Sequence, residues 1–151
     1  MGKKPRHPVL SQKALIVCGR GDILLVRRSK SDHSYPGRWE FPGGKLEPGS
    51  SLLREELARE LGEELGKKVR IKPVVDIYDR LLPKNHSRRP GQHVIVIFYR
   101  VLLEEYEGEI ELSDEHSAFR WVSLNAALKV RLPPGSRKAL KRFIELERDK
   151  L

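Results

Sequence analysis

Glu60, Glu63 and Glu64 are the residues of this 151-residue chain whose type and spacing are best suited to chemistry. On a helix turning ~100° per residue they fall within an arc of about 100°, with Glu56 one turn earlier on the same side. Like charges at i,i+3 and i,i+4 repel by about 0.2–0.5 kcal/mol per pair. A hard divalent cation reverses that sign, because magnesium and manganese prefer oxygen ligands. Arg59, four residues before Glu63, is placed to hold one carboxylate still. The same residues also fit a solvated acidic helix face laced by Arg54, Arg59 and Lys67. Ahead of them runs Trp39-Glu40-Phe41-Pro42-Gly43-Gly44-Lys45. Paired glycines let backbone approach a ligand closely and turn a carbonyl toward a cation, and Lys45 is a candidate to neutralise phosphate. Gly-Gly-Lys also reads as an ordinary tight turn.

Several elements must position these groups. Leu57, Leu61 and Leu65 occupy a second arc of about 80° on another side of the helix, so leucines face a core while carboxylates face away. The helix is expected over Ser51–Gly66, capped by Ser50 or Ser51 and stopped by Gly66. Gln12–Cys18 and Asp22–Arg28 read as strands joined by Gly19-Arg20-Gly21 into a hairpin. Val69–Asp79 and His93–Leu103 read as further strands, separated by a polar loop. Glu107–Leu112 and Phe119–Val122 read as short ones. A short helix is expected over Ser123–Lys129, capped by Ser123. After Pro133-Pro134-Gly135, Ser136 is expected to cap an amphipathic helix carrying Leu140, Phe143, Ile144 and Leu151. Strands interleaved with helices imply an α/β or α+β domain, a mixed sheet with helices on its faces. The expected organisation is one domain over residues 1–151, with residues 1–10 as a basic tail.

Composition bounds the partners. No apolar run reaches the roughly 18 residues of a membrane helix. The basic start, Met1–Pro8, lacks a signal-peptide core, and lone Cys18 has no partner for a disulfide; a cytoplasmic location is expected. The net charge of +9 favours polyanions, but the basic residues are dispersed in short clusters such as Lys3–Arg6, Arg27–Lys30 and Lys84–Arg89. That favours a nucleotide over nucleic acid. The side-chain amides are confined to Gln12, Asn85, Gln92 and Asn125, a thermophile-like pattern.

Gly44 followed by Arg59-Glu60-Leu61-Gly62-Glu63-Glu64-Leu65-Gly66 resembles the signature of the Nudix hydrolase family. That signature is Gly, five residues, Glu, seven residues, then Arg-Glu-U-x-Glu-Glu-x-Gly-U, with U apolar. The leading WEFPGGK and the later Phe119-Arg120-Trp121-Val122-Ser123-Leu124 resemble the family too, so the likeness runs from Gln12 to Phe143. The chain departs from the pattern in three places. Ser51, or Ser50 in a loop one residue longer, stands where the family has Glu; Lys67 fills the last apolar position; and Gly62 lies within the helix.

The resemblance implies an α/β/α sandwich and hydrolysis of a phosphoanhydride bond in a nucleoside triphosphate or nucleoside diphosphate derivative. It implies Mg²⁺, replaceable by Mn²⁺, held by the Gly44 carbonyl, Glu60, Glu63, Glu64 and a late-loop acid, Glu115. Glu60 or Glu63 is implied as general base, with Arg59 beside them and Glu115 as the alternative. Arg28, or Arg27 on the opposite side of the strand, and Lys45 are candidates for phosphate, and Phe41 or Trp39 for stacking on a base. The triphosphate pyrophosphatases of the MutT-like kind place an Asn after paired prolines to read the base; Ser136 stands there, which weakens an oxidised-guanine preference. ADP-ribose or dinucleoside polyphosphates are the alternative substrates, and a non-catalytic nucleotide- or RNA-binding module the alternative class. Either a monomer or a homodimer is consistent with the sequence.

Overall fold

The computed structural model describes residues 7–31, 35–47, 49, 51–104 and 110–149. Its strands are β1 (Val9–Ile16), β2 (Ile23–Arg28), β3 (Trp39–Glu40), β4 (Gly43–Lys45), β5 (Val69–Leu81), β6 (His93–Leu103) and β7 (His116–Val122). The helices are α1 (Leu53–Leu65), α2 (Leu124–Lys129) and α3 (Ser136–Arg148). One sheet has the order β4-β1-β6-β5, the other β3-β2-β7. β1 and β6 run parallel and the remaining pairs antiparallel, so the first sheet is mixed.

Alternation along β1 and β2 builds two cores. Ala14, Ile16, Leu24 and Val26 face α1 and meet its Leu57, Leu61 and Leu65. Leu15, Ile23 and Leu25 face the other way and meet Ala127 of α2 and Ala139, Leu140 and Phe143 of α3. The expected leucine stripe on α1 is therefore its buried face, and helices cover the strands from both sides. No helix among the described residues is long and apolar enough to cross a membrane.

The expected β1–β2 hairpin is only a turn. Cys18 N–H donates to Asp22 O at 2.9 Å and Val17 bridges Ile23, but the strands then part into different sheets. Local turn chemistry does not choose partners, and β6 and β7 win them by long-range pairing. β5 carries register shifts around Pro73, which has no N–H to give the ladder. β1 begins at Val9, inside the stretch expected as a tail. Ser123 caps α2 as expected, accepting from Ala126 N–H. Ser136 does not cap α3: Gly135 holds that position, and Ser136 is the first helical residue. Nor does Ser51 cap α1, whose N-cap is Leu52; instead Glu56 accepts a hydrogen bond from the Ser51 backbone. Ile110–Leu112 is not a strand. Residues 1–6, Ser50, residues 107–109 and Leu151, all invoked above, lie outside the described residues.

Leu61 is fully buried beneath α1, whereas Leu81 at the end of β5 is 71% exposed. Leu61→Ala is expected to lower unfolding free energy by about 2–5 kcal/mol and Leu81→Ala by no more than about 0.5. Urea denaturation checks the pair; equal effects would contradict this account of the core.

Candidate functional site

β1 is the strand from which the site is built. Gln12 on it donates to Leu53 O at 2.8 Å and accepts from the Tyr99 hydroxyl at 2.9 Å, fastening the start of α1 to the sheet. Next to it, Lys13 pairs in register with Gly43 of β4. A Cβ on Gly43 would lie 2.1 Å from Gln12 O, so only glycine lets these strands meet here. A Cβ on Gly44 would fall 2.5 Å from Glu60 Oε2, so the missing side chain is the room that the Glu60 carboxylate occupies. Gly43 N–H donates to Glu64 Oε2 at 3.2 Å. The paired glycines thus seat two helix carboxylates against the β4 backbone.

The trio inferred from helix spacing is divided. Glu60 and Glu64 turn to β4, while Glu63 stays out in solvent, bound by Arg59 Nη1 at 2.6 Å. Arg59 also bonds Glu56, holding that carboxyl below its usual range against the effect of burial. Neither Glu60 nor Glu64 forms an ion pair among the described residues. Burial pushes the Glu64 carboxyl up to about 7; Lys13, His116 and the Gly43 N–H oppose this, and Glu115 adds to it. Burial likewise raises Glu60, opposed by Arg59 and Lys13 and reinforced by Glu56 and Glu115.

Glu115 reaches this cluster from another element, the turn before β7. Ser113 N–H donates to Glu64 O at 3.2 Å, Ser29 N–H to Glu115 O at 3.0 Å and Ser29 Oγ to Asp114 O at 2.7 Å, so the turn is pinned to α1 and to the end of β2. Asp114 and Glu115 both line a cavity of about 790 Å³, but only the Glu115 charge bears on Glu60 and Glu64. The Ser113 hydroxyl and His116 Nδ1 are buried without a hydrogen-bond partner.

The floor of the cavity is cationic. Glu40 of β3 is buried and accepts from Arg28 Nε at 3.0 Å and Lys13 Nζ at 3.2 Å, with His116 Nε2 at 3.1 Å from its other oxygen. Burial alone would raise the Glu40 carboxyl; Lys13, His116 and Arg28 outweigh it and hold the group down at about 2. Lys45, Arg80, Arg88 and Arg89 border the same space. His86 Nδ1 accepts from the N–H groups of Arg88 and Arg89 and so shapes the turn that carries them.

Of the residues singled out from the sequence, Gly44, Lys45, Arg28 and Glu115 line the cavity, and Glu60 and Glu64 stand behind its β4 wall. Arg27 points elsewhere and donates to Gly37 O at 2.9 Å. Phe41 is buried in the core, edge-on to Phe98, and Trp39 lies under Arg120; neither borders the cavity. Ser136 is buried at the start of α3, also outside the cavity lining. Sequence reasoning passed over Lys13, Glu40 and His116. Opposite charges at Lys13 and Glu40, each beside apolar strand residues, were the available signal of a buried pair.

Among the described residues no three acidic, histidine or cysteine side chains enclose a metal by themselves. The donor set still fits a hard divalent ion. Two carboxylates with no ion pair among the described residues meet a glycine backbone, and such ions bind through one or two carboxylates completed by water and substrate phosphate.

The NUDIX domain family model matches residues 10–143. The CTP pyrophosphohydrolase of Escherichia coli K12 is 35% identical over 134 residues, 88% of this chain and 90% of that protein. The asymmetrical bis(5'-nucleosyl)-tetraphosphatase of Rattus norvegicus is 31% identical over 109 residues, 72% of this chain and 69% of that protein. The crystal structure of the MutT protein from Methanosarcina mazei Go1 superposes with a TM-score of 0.77 at 31% identity, covering 95% of this chain and 99% of that one.

Glu40 ionises at lower pH folded than unfolded, so its contribution to stability is complete above about 4.5 and is lost as pH falls toward about 2. That window corresponds to about 3 kcal/mol. Glu40→Gln should flatten this part of the stability–pH curve and destabilise the protein most at neutral pH, as read by denaturant unfolding. Parallel curves for the two proteins would contradict the assignment.

Proposed function

This chain belongs to the NUDIX hydrolase family, and from that premise we propose that it hydrolyses nucleoside triphosphates with Mg²⁺, releasing nucleoside monophosphate and pyrophosphate. The observation that carries the reading is that one cavity brings acidic and basic side chains together. Glu115, Lys13, Arg28 and Lys45 line it, and Glu60 and Glu64 stand behind its Gly43–Gly44 wall, close enough for Lys13 and Glu115 to act on both. A phosphate chain bridged to a cation needs both. The extent of the likeness to a CTP pyrophosphohydrolase favours a triphosphate over a dinucleoside polyphosphate.

Glu60, Glu64 and the Gly44 carbonyl would hold the ion. Bound there, a divalent cation neutralises charge on the phosphate oxygens and makes the attacking water more acidic. Glu115, exposed in the cavity wall and pinned through its backbone to Ser29, accepts the proton of that water in our reading. Arg28 meets the phosphate chain, and Arg59 keeps Glu63 and Glu56 turned away from Glu60 and Glu64. Phe41 and Ser136 have no part in this arrangement. An in-line displacement then cuts the anhydride.

Turnover of CTP, ATP, GTP, diadenosine tetraphosphate and ADP-ribose with magnesium, with products resolved by chromatography, tests the reading; no turnover of any triphosphate would overturn it. Glu60→Gln and Glu64→Gln should each lower kcat at least about 100-fold, and Glu63→Gln less than about tenfold. The reverse order would mean that Glu63 leaves Arg59 to ligate the ion.

A further inference from the structure

Lys13 lies on the central strand β1, fixed by its neighbours: Gln12 is tied to α1, and Ala14 N–H donates to Pro42 O at 2.8 Å. Lys13 lines the cavity with a side chain only 13% exposed, its ammonium paired with Glu40, which lines the same cavity. An ammonium has three N–H donors, and Glu40 is its one hydrogen-bond partner among the described residues. The Glu40 carboxylate faces two permanent cations, Lys13 and Arg28, so the group stays net positive despite its ion pairs. Lys45 is also at the cavity but is exposed at the end of a short strand, where a flexible lysine is poorly held. A cation seated on a rigid strand loses less freedom on binding than one on a mobile stem.

We propose that Lys13 is a substrate-binding residue whose ammonium, held on the cavity floor by Glu40, takes a phosphate oxygen of the bound nucleotide, with Glu40 as its positioning residue. The proposal rests on the nucleotide reading above. A charge-assisted bond to phosphate is strong, and a ligand with more phosphates gains more from it. Loss of the ammonium therefore weakens a triphosphate more than a monophosphate. The fold survives that loss, since Glu40 keeps Arg28 and His116.

The test is calorimetric binding of α,β-methylene CTP and of CMP, each in EDTA and with magnesium, to wild type, Lys13→Met and Lys13→Arg. In Lys13→Met the Kd for the triphosphate analogue should rise about tenfold in both buffers and that for CMP less than about threefold, while Lys13→Arg keeps most of the affinity. A triphosphate Kd within about twofold of wild type, or equal weakening of both ligands, overturns the proposal. Failure of the hydrolase reading shows separately, as absence of turnover by the wild-type protein, which the binding comparison does not use.

Discussion

The carboxylate of Glu40 is shared among Lys13 of β1, Arg28 of β2 and His116 of β7, so one buried anion spans both sheets. Taking charges out of water costs several kcal/mol per ion, and only close, hydrogen-bonded partners offset it. Three partners at 3.0–3.2 Å meet that condition. The arrangement has a functional consequence as well as a structural one. It fixes two cations on a cavity floor and anchors the strand that follows the Asp114–Glu115 turn. The cationic floor and the turn that carries Glu115 are thereby set by one group.

The acidic side obeys the opposite logic. Glu64 is buried and Glu60 half-buried, neither in an ion pair among the described residues, and burial raises both carboxyls. The fold tolerates this because α1 is held by its buried leucines and by Gln12, interactions independent of the carboxylates. Unpaired acids beside a glycine backbone are a cost to the metal-free protein. A divalent cation bound there, as we propose, would turn that cost into affinity. Arg59 holds Glu56 and Glu63, so of the acids on this side of α1 Glu60 and Glu64 are the two left turned to β4.

Much of this was legible in the sequence because it is local. Helical spacing identified the leucine face of α1, Gly66 its end and Ser123 the start of α2. The resemblance carried by Gly44 and Arg59–Gly66 pointed to the family, and Gly44 does seat an acid. What was not legible depends on contacts distant along the chain. An arc of about 100° could not say that Arg59 would remove Glu63 from the trio. Nor could it say that Lys13 and Glu40, 27 residues apart, would meet. Phe41 was assigned to a base because aromatic type alone does not distinguish a cavity wall from a core, and Phe41, just past β3, packs edge-on to Phe98. Ser136 was assigned from position after paired prolines, whereas packing of α3 buries it.

The central claim is that a divalent cation is captured between the β4 glycines and two carboxylates of α1, facing a cationic floor. Anomalous diffraction from crystals soaked in Mn²⁺ with α,β-methylene CTP locates the metal directly. The account predicts an anomalous peak at the Glu60 and Glu64 carboxylates beside Gly44, with phosphate density toward Lys13 and Arg28. A peak on the outer Glu56–Arg59–Glu63 face of α1, or phosphate bound there with none in the cavity, would contradict it.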